Sequence, residues 1–176
     1  MINILTGPVH SGKTTFLKNA IPVLKENNFA AAGYLSEAVW NGQEFTGYDL
    51  VDLKDDLRHP FIRKQGRDDW QRIGPFYFIL GTLDLAKKII RLCQKTDLCV
   101  VDEVGPLELE GKGVWPALEE AFKIPGQSLL IVVRETLLQD IMDKMPKDRV
   151  RVYDSVTTQK PLHMVEVLMQ DLKKRR

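Results

Sequence analysis

The sequence has little cysteine, no long apolar run and no excess of either charge, and each absence excludes a class of protein. Cys93 and Cys99 are the two cysteines. With no histidine nearby they form neither a disulfide framework nor a zinc pattern, and we expect two small core residues in a reducing compartment. No apolar run approaches the ~20 residues of a membrane span, and no basic residue precedes the first glycine as in a secretory signal. A soluble, cytoplasmic protein without a membrane partner is therefore expected.

Charge and composition narrow the possibilities further. The 176 residues contain 25 Lys and Arg against 24 Asp and Glu, a net charge of +1. This balance gives no general attraction to nucleic acid, and the basic residues are scattered among acids, so nucleic acid is not an expected partner. Hydrophobic residues make up 44% of the chain, which is enough for a core. The length fits a single domain over residues 1–176.

Apolar segments of strand length alternate with segments of helical periodicity. Strands are predicted at residues 2–6, 30–36, 76–79, 98–101, 129–133 and 150–153. Helices are predicted from the end of the first glycine-rich loop to about residue 24, and at residues 83–95, 114–123, 136–145 and 162–172. This alternation predicts an α/β fold, with a mostly parallel sheet covered by helices on both faces.

Two segments in the first half of the chain depart from this alternation. Asn41-Gly42 separates short strands at residues 39–40 and 44–53, which predicts a β-hairpin with a type I′ turn. Residues 54–72 carry several basic residues among acids and show little periodicity, which favours a mobile surface loop. The predicted fold therefore contains an inserted β-hairpin followed by a charged loop.

A glycine-rich loop lies between the first predicted strand and the first predicted helix. It reads Gly7-Pro8-Val9-His10-Ser11-Gly12-Lys13-Thr14 and matches G-x4-G-K-[ST] without a gap. In this context the N–H groups of the loop and the helix N-terminus are expected to bind phosphate oxygens, with Lys13 on the β and γ phosphates. The Thr14 hydroxyl suits Mg²⁺ as a hard ligand, and Thr15 is expected near the α phosphate. His10 occupies a variable position, so its backbone N–H is expected to contribute rather than its ring.

A second group of candidate residues follows the strand predicted at residues 98–101. Asp102 and Glu103 come directly after it, in the manner of a Walker B motif, and acids at the carboxyl ends of parallel strands face the ligand crevice. Asp102 is expected to hold Mg²⁺ through water, together with Thr14. Glu103 is expected to accept a proton from the attacking water or to orient it. If the strand continued regularly, the two side chains would point in opposite directions.

The two motifs together resemble those of the cancer-related nucleoside-triphosphatase family, small P-loop proteins first associated with thermophiles. The more specific half runs from Asp102 to Leu109, where D-E-V-G-P-L-E-L is close to the family's D-E-I-G-P-M-E-L. The resemblance implies a three-layer P-loop NTPase sandwich with an extra strand between the two motif-bearing strands. It implies slow, Mg²⁺-dependent hydrolysis of ATP, GTP, CTP and UTP, with weak base selectivity and Glu103 as the catalytic carboxylate. Nucleotide contacts are implied along the phosphate loop and at Leu98, Cys99, Val100, Val101, Asp102, Glu103, Val104 and Gly105.

One part of the family pattern is missing, and one catalytic group has two candidates. Members of the family usually carry an Asn-Arg pair after the last strand, where this sequence reads Thr157-Thr158-Gln159-Lys160. Beside Lys13 and Mg²⁺, an arginine is expected to neutralise charge in the transition state of phosphoryl transfer. Arg72, just before Ile73-Gly74, is the first candidate. Arg134, which directly follows the strand at residues 129–133, is the second.

Two other functions stay open at this point. A nucleotide or small-molecule kinase would use the same phosphate loop, and its lid would be the charged segment at residues 54–72; the adjacent acids Asp102 and Glu103 favour water as the nucleophile instead. A nucleotide-dependent switch would use hydrolysis to time its binding to another macromolecule, but the sequence identifies no protein partner. Release of inorganic phosphate without an acceptor would separate a hydrolase from a kinase.

Overall fold

A single sheet with helices on both sides makes up residues 1–9, 11–155 and 161–174, which are those that the computed structural model describes. The strands are β1 (Ile2–Gly7), β2 (Ala31–Asn41), β3 (Glu44–Asp52), β4 (Arg58–Arg63), β5 (Gln71–Ile73), β6 (Phe76–Phe78), β7 (Leu98–Val104), β8 (Leu129–Arg134) and β9 (Val150–Asp154). The helices are α1 (Lys13–Glu26), α2 (Leu80–Leu92), α3 (Pro106–Leu109), α4 (Trp115–Phe122), α5 (Leu138–Asp143) and α6 (Pro161–Lys173). In this part of the chain no helix is both long and apolar enough to cross a bilayer.

The strands that carry the two motifs belong to the parallel part of the sheet. The strand order is β5-β6-β4-β3-β2-β7-β8-β1-β9, and β2, β7, β8, β1 and β9 run parallel to one another. Strand β8 lies between β1 and β7, which confirms the extra strand implied by the family resemblance. Because parallel strands end at the same edge, the loop after β1 and the acids at the end of β7 meet there.

Alternate side chains of the central strands pack into two separate hydrophobic clusters. In β8, Leu129 and Ile131 belong to the cluster that includes residues of α2 and α4, whereas Leu130 and Val132 belong to the cluster that includes residues of α1 and α6. All four side chains are at most 3% exposed. A strand buried on both faces reads as a continuous apolar run, which is why these segments were recognisable from sequence. The predicted three-layer α/β sandwich is confirmed.

The insertion after β2 is larger than the predicted hairpin, and the prediction of a mobile loop at residues 54–72 is wrong. Strands β3, β4, β6 and β5 pair antiparallel in that order and extend the sheet. Strand β4 buries Phe61 and Ile62, and its terminal charges are paired, Arg58 with Glu37 at 2.5 Å and Arg63 with Asp49 at 2.6 Å. Pro60 lies beside a bulge in β4, in which Phe61 is the extra residue, and a missing N–H is tolerated at such a position. The apolar residues between positions 54 and 72 are few and are separated by charged residues, so the sequence showed no clear alternation typical of a strand.

The turn of the β2–β3 hairpin also differs from the prediction. Asn41 pairs with Glu44, which leaves Gly42 and Gln43 as the two central residues. Gly42 has a φ of +60°, whereas the φ of Gln43 is not positive. A positive φ at the first central position alone is the pattern of a type II′ turn rather than the type I′ turn that was predicted.

Candidate active site

The phosphate loop joins β1 to α1 through two glycines whose backbone conformation suits no other residue. Gly7 has a φ of +148° and Gly12 a φ of +82°. A Cβ atom on Gly7 would also lie 2.0 Å from the Ser155 Oγ atom, which closes on the loop from the end of β9. Helix α1 begins at Lys13, and no side chain of the described residues caps it. Its first N–H groups are therefore free to bind an anion.

Lys13 folds back over its own loop. Its Nζ atom donates hydrogen bonds to the carbonyl oxygens of Gly7 at 3.0 Å and Pro8 at 2.5 Å. Burial lowers the pKa of Lys13, and the negative charges of Glu103 and Asp102 oppose that effect. A cation held on carbonyl oxygens at the mouth of a phosphate loop is placed to transfer those hydrogen bonds to phosphate oxygens.

Thr14 and Asp102 lie 88 positions apart in the chain and meet at the base of the site. The Thr14 hydroxyl donates a hydrogen bond to Asp102 Oδ2 at 2.9 Å. The same carboxylate oxygen accepts the backbone N–H of Ser36 at 3.0 Å. Asp102 is 1% exposed, and this burial raises its pKa to about 7, against the lowering effects of Ser36 and Thr14. The two residues predicted to hold a divalent cation are thus adjacent.

Glu103 lies in a bulge of β7 that changes the direction of its side chain. From Val101 to Val104, three steps along β7 match two steps along β8, and Glu103 has a φ of +72°. This conformation costs a residue with a Cβ about 1–2 kcal/mol. The prediction that Asp102 and Glu103 would point in opposite directions is therefore wrong, because the extra residue interrupts the alternation and both side chains line one cavity.

Arg134, at the end of β8, forms an ion pair with Glu103. Its Nη2 and Nε atoms both donate to Glu103 Oε1, the second at 3.2 Å. The Arg134 side chain is 34% exposed and that of Glu103 25% exposed, so the pair is only partly shielded from water. The guanidinium and the carboxylate neutralise each other beside the phosphate loop.

These groups surround a cavity of about 350 Å³, which we call the phosphate cavity. It is lined by Val9, Ser11, Gly12, Lys13, Thr14, Thr15, Lys18, Ser36, Glu37, Ala38, Tyr48, Asp102, Glu103, Val132 and Arg134. Four predicted groups are brought together in this way: the phosphate loop, which includes Thr14, and the side chains of Asp102, Glu103 and Arg134.

Other predicted site residues are not brought to the cavity. The side chains of Leu98, Cys99, Val100, Val101 and Val104 are fully buried in the core, so they position Asp102 rather than face a ligand. Arg72 lies in β5 with its guanidinium 5.7 Å from the centre of the Tyr77 ring, and it is not among the residues that line the phosphate cavity. His10 and Thr157-Thr158-Gln159-Lys160 lie outside the described residues.

Several cavity residues were not assigned a role from sequence. Ser36 and Glu37 lie just beyond the part of β2 that pairs parallel with β7, which ends at Tyr34, and the rule that strand ends face the ligand could have identified them. Glu37 pairs with Lys18 at 3.0 Å and with Arg58. Burial alone would raise the pKa of Glu37, but hydrogen bonds from Lys18 and Arg58 lower it overall. Tyr48 comes from the antiparallel insertion, to which the rule on the ends of parallel strands does not apply.

The Glu108 side chain holds the backbone of the segment that follows β7. Its Oε2 atom accepts the N–H of Gly105 and its Oε1 atom accepts the N–H of Val114, each at 2.9 Å. The side chain is buried, and this burial raises its pKa, although the backbone hydrogen bonds lower it in part. A Cβ atom on Gly113 would lie 2.0 Å from Glu108 Oε1. The carboxylate thus closes the turn two residues beyond Glu103.

Comparisons with known proteins agree with this geometry. Residues 3–168 match the model of a family described as NTPase. The chain is 27% identical over 147 residues to the nucleoside-triphosphatase THEP1 of Methanopyrus kandleri, covering 81% of each protein. It is 30% identical over 137 residues to the human cancer-related nucleoside-triphosphatase, covering 72% of this chain and 71% of that one. The crystal structure of THEP1 from the hyperthermophile Aquifex aeolicus has the same fold, with a TM-score of 0.70 at 20% identity over 98% of this chain and 99% of that one. The chain therefore belongs to the NTPase family, whose named relatives above are nucleoside-triphosphatases, a class of hydrolase.

Proposed function

We propose that this protein hydrolyses ATP, GTP, CTP and UTP to the diphosphate and inorganic phosphate with Mg²⁺, slowly and with weak preference for the base. The observation that carries the proposal is the hydrogen bond between Thr14 and Asp102 at the base of a cavity that also contains Lys13 and Glu103. The proposal is supported by the phosphate loop, two hard oxygen donors and a carboxylate that line one volume. Family membership supports nucleoside triphosphates as the substrate class.

The residues present fit Mg²⁺ well. Mg²⁺ in nucleotide sites usually takes one or two protein oxygens and completes its shell with water and phosphate. Thr14 and Asp102 supply that number, and the described residues contain no group of three or more His, Cys, Asp or Glu side chains suited to a metal. Bound there with a nucleotide, Mg²⁺ would neutralise phosphate charge.

The chain's own groups divide the remaining work. The N–H groups of the loop and the Lys13 ammonium bind the phosphates and hold the γ-phosphoryl group in place. Glu103 accepts the proton of a water positioned for in-line attack. Arg134 lies beside Glu103 and is placed to neutralise charge on the transferred group, the role for which Arg72 was the first candidate.

Slow turnover follows from the ion pair between Glu103 and Arg134. While the two are joined, the charge of the base is neutralised and the guanidinium of Arg134 is occupied by Glu103. A bound triphosphate must compete with Glu103 for Arg134 before both groups are available. Weak base selectivity follows from a cavity built on phosphate-binding residues.

The free, buried cysteines Cys93 and Cys99 support the cytoplasmic location proposed from sequence.

The Glu103→Gln variant tests the assignment of the base. We expect it to bind a non-hydrolysable ATP analogue with Mg²⁺ within about threefold of the parent affinity, and to lose at least about 100-fold in kcat. Calorimetry measures the first quantity and phosphate release the second. Glu110→Gln is the matched control, because Glu110 is exposed and pairs with Lys112 at the surface. Parent-level turnover by Glu103→Gln would refute the assignment.

The same assay tests substrate range and cation. We expect kcat/KM values for the four triphosphates within about tenfold of one another, because the cavity is built on phosphate-binding residues. A tenfold difference corresponds to about 1.4 kcal/mol of contact with the base. Chelation should stop phosphate release, and added Mg²⁺ should restore it. A preference for one base above about 100-fold would contradict the proposed breadth.

A further inference from the structure

A second cavity of about 270 Å³ adjoins the phosphate cavity. Ser36, Tyr48, Glu103 and Arg134 line both, so the ion pair forms part of the boundary between the two volumes. We call it the insertion cavity, because its other walls come from β4, the β5–β6 hairpin and the loop after β7. Hydrolysis by water requires only the phosphate cavity.

The walls of the insertion cavity are aromatic and apolar. Phe61, Phe76 and Phe78 line it together with Tyr48, and neighbouring rings stand edge-to-face, as Phe61 and Phe78 do with centres 5.9 Å apart. Such a set offers both faces and edges to a flat ring. An apolar pocket with a few convergent polar groups is the usual form of a small-molecule site.

The described polar groups of the insertion cavity leave no spare cation for an anionic ligand. Glu103 is neutralised by Arg134, and both oxygens of Glu108 accept backbone N–H groups. Arg134 is the single basic residue among the described residues that line this cavity. A nucleoside monophosphate or another phosphorylated acceptor would require further cations, so the lining favours a neutral molecule.

The Tyr48 hydroxyl is a polar group of the insertion cavity that keeps its hydrogen-bonding capacity. Within the described part of the chain, the Tyr48 hydroxyl has no hydrogen-bond partner, and burial followed by the charge of Glu103 raises the pKa of this hydroxyl. It is therefore a protonated phenol beside the carboxylate. A ligand hydroxyl there would receive a hydrogen bond from Tyr48 while donating its own proton to Glu103.

We propose that the insertion cavity is a phosphoryl-acceptor subsite for a neutral aromatic alcohol, which competes with water for the γ-phosphoryl group. This inference rests on the proposed nucleotide site. The alcohol oxygen forms a bond to the γ phosphorus, and the bond from that phosphorus to the β–γ bridging oxygen breaks, its electron pair leaving with the nucleoside diphosphate. The alcohol proton passes to Glu103. The products are the diphosphate and an aryl-alkyl phosphate monoester.

The test uses three alcohols that place a hydroxyl at different distances from a ring: benzyl alcohol, phenethyl alcohol and tryptophol. Ligand-observed NMR measures their binding to the full chain with Mg²⁺ and a non-hydrolysable ATP analogue. At least one is expected to bind saturably and more tightly than its methyl ether, which has the ring without the hydroxyl. Ile73→Trp narrows the cavity from β5 and should weaken binding at least about tenfold. Leu92→Trp, at a surface position 66% exposed, is the matched control and should leave binding unchanged.

The second measurement follows the transferred phosphate with ATP as substrate. Phosphorus NMR should show a monoester at saturating alcohol, and the amount of ADP should exceed that of inorganic phosphate. Absence of saturable binding, equal binding by Ile73→Trp, or equal amounts of ADP and phosphate would overturn the acceptor subsite. A KM for ATP that rises in Ile73→Trp as alcohol binding is lost would also overturn it, because the cavity would then hold the nucleotide base. Phosphate release without any alcohol is a separate result, and its absence would count against the proposed hydrolysis instead.

Discussion

Replacement of Asp102 by asparagine should change how the stability of the nucleotide-free protein depends on pH. Burial raises the pKa of Asp102 from 3.8 to about 7. Between these values the folded chain keeps a proton that the unfolded chain has lost. Unfolding then releases a proton, so the free energy of unfolding falls as the pH rises through this window. For an acid with a raised pKa, the loss is complete above the folded pKa.

The size of the effect follows from the width of that window. About three pH units at about 1.4 kcal/mol each amount to about 4 kcal/mol, all from one buried carboxyl group. Asparagine cannot ionise, and its side-chain oxygen can still accept the Ser36 N–H. Near pH 4.5, which is above the unfolded pKa of 3.8, the Asp102→Asn protein should therefore already be more stable by about 1 kcal/mol, and near pH 8 by up to about 4 kcal/mol.

Urea unfolding, followed by the fluorescence of the buried Trp115, measures this difference in steps from about pH 4.5 to about pH 8. Asp140→Asn is the matched control, because it makes the same chemical change on the exposed face of α5. A flat difference between Asp102→Asn and the parent would refute the reasoning, since it would mean that the buried carboxyl group titrates alike in both states.

Three further predictions concern the site and its support. Lys13→Ala should weaken binding of Mg²⁺-ATP by at least about 100-fold in calorimetry, because a charge-assisted contact with two phosphates is lost; near-parent affinity would contradict the phosphate loop assignment. Arg134→Ala should lower kcat at least about 100-fold and change KM less, whereas Arg72→Ala should change kcat less than about threefold; the reverse order would restore Arg72 as the catalytic arginine. Glu108→Gln should lower the free energy of unfolding by about 1–3 kcal/mol in urea, because an amide N–H₂ group then faces a backbone N–H, and an unchanged value would exclude a clamping role.

The sequence predicted the two motifs of the site because each is local. The strand, the glycine loop and Lys13 are contiguous, and the positive φ angles at Gly7 and Gly12 are properties of residue type and position. The apolar runs at β1, β7 and β8 are buried on both faces, so they stand out without any knowledge of their neighbours. Parallel order then places their carboxyl ends together, which is why Thr14 and Asp102 could be paired before the structure was known.

Only the tertiary structure shows the direction of the Glu103 side chain, the arginine that lies beside it and the second cavity. A bulge is a mismatch between two strands, and no single strand carries its signature. Arg134 ends the apolar strand β8, and Arg72 lies beside an apolar residue in β5. The two arginines are distinguished by the strands that lie next to β8 and β5 in the sheet. The antiparallel insertion is held by pairs such as Arg63 with Asp49, whose partners are distant in the chain, so the charges that suggested a mobile loop are in fact the contacts that order it. Local backbone conformation depends on residues that are adjacent in the sequence. The partner of a charged side chain and the register of a strand depend instead on which distant segments the folded chain brings together.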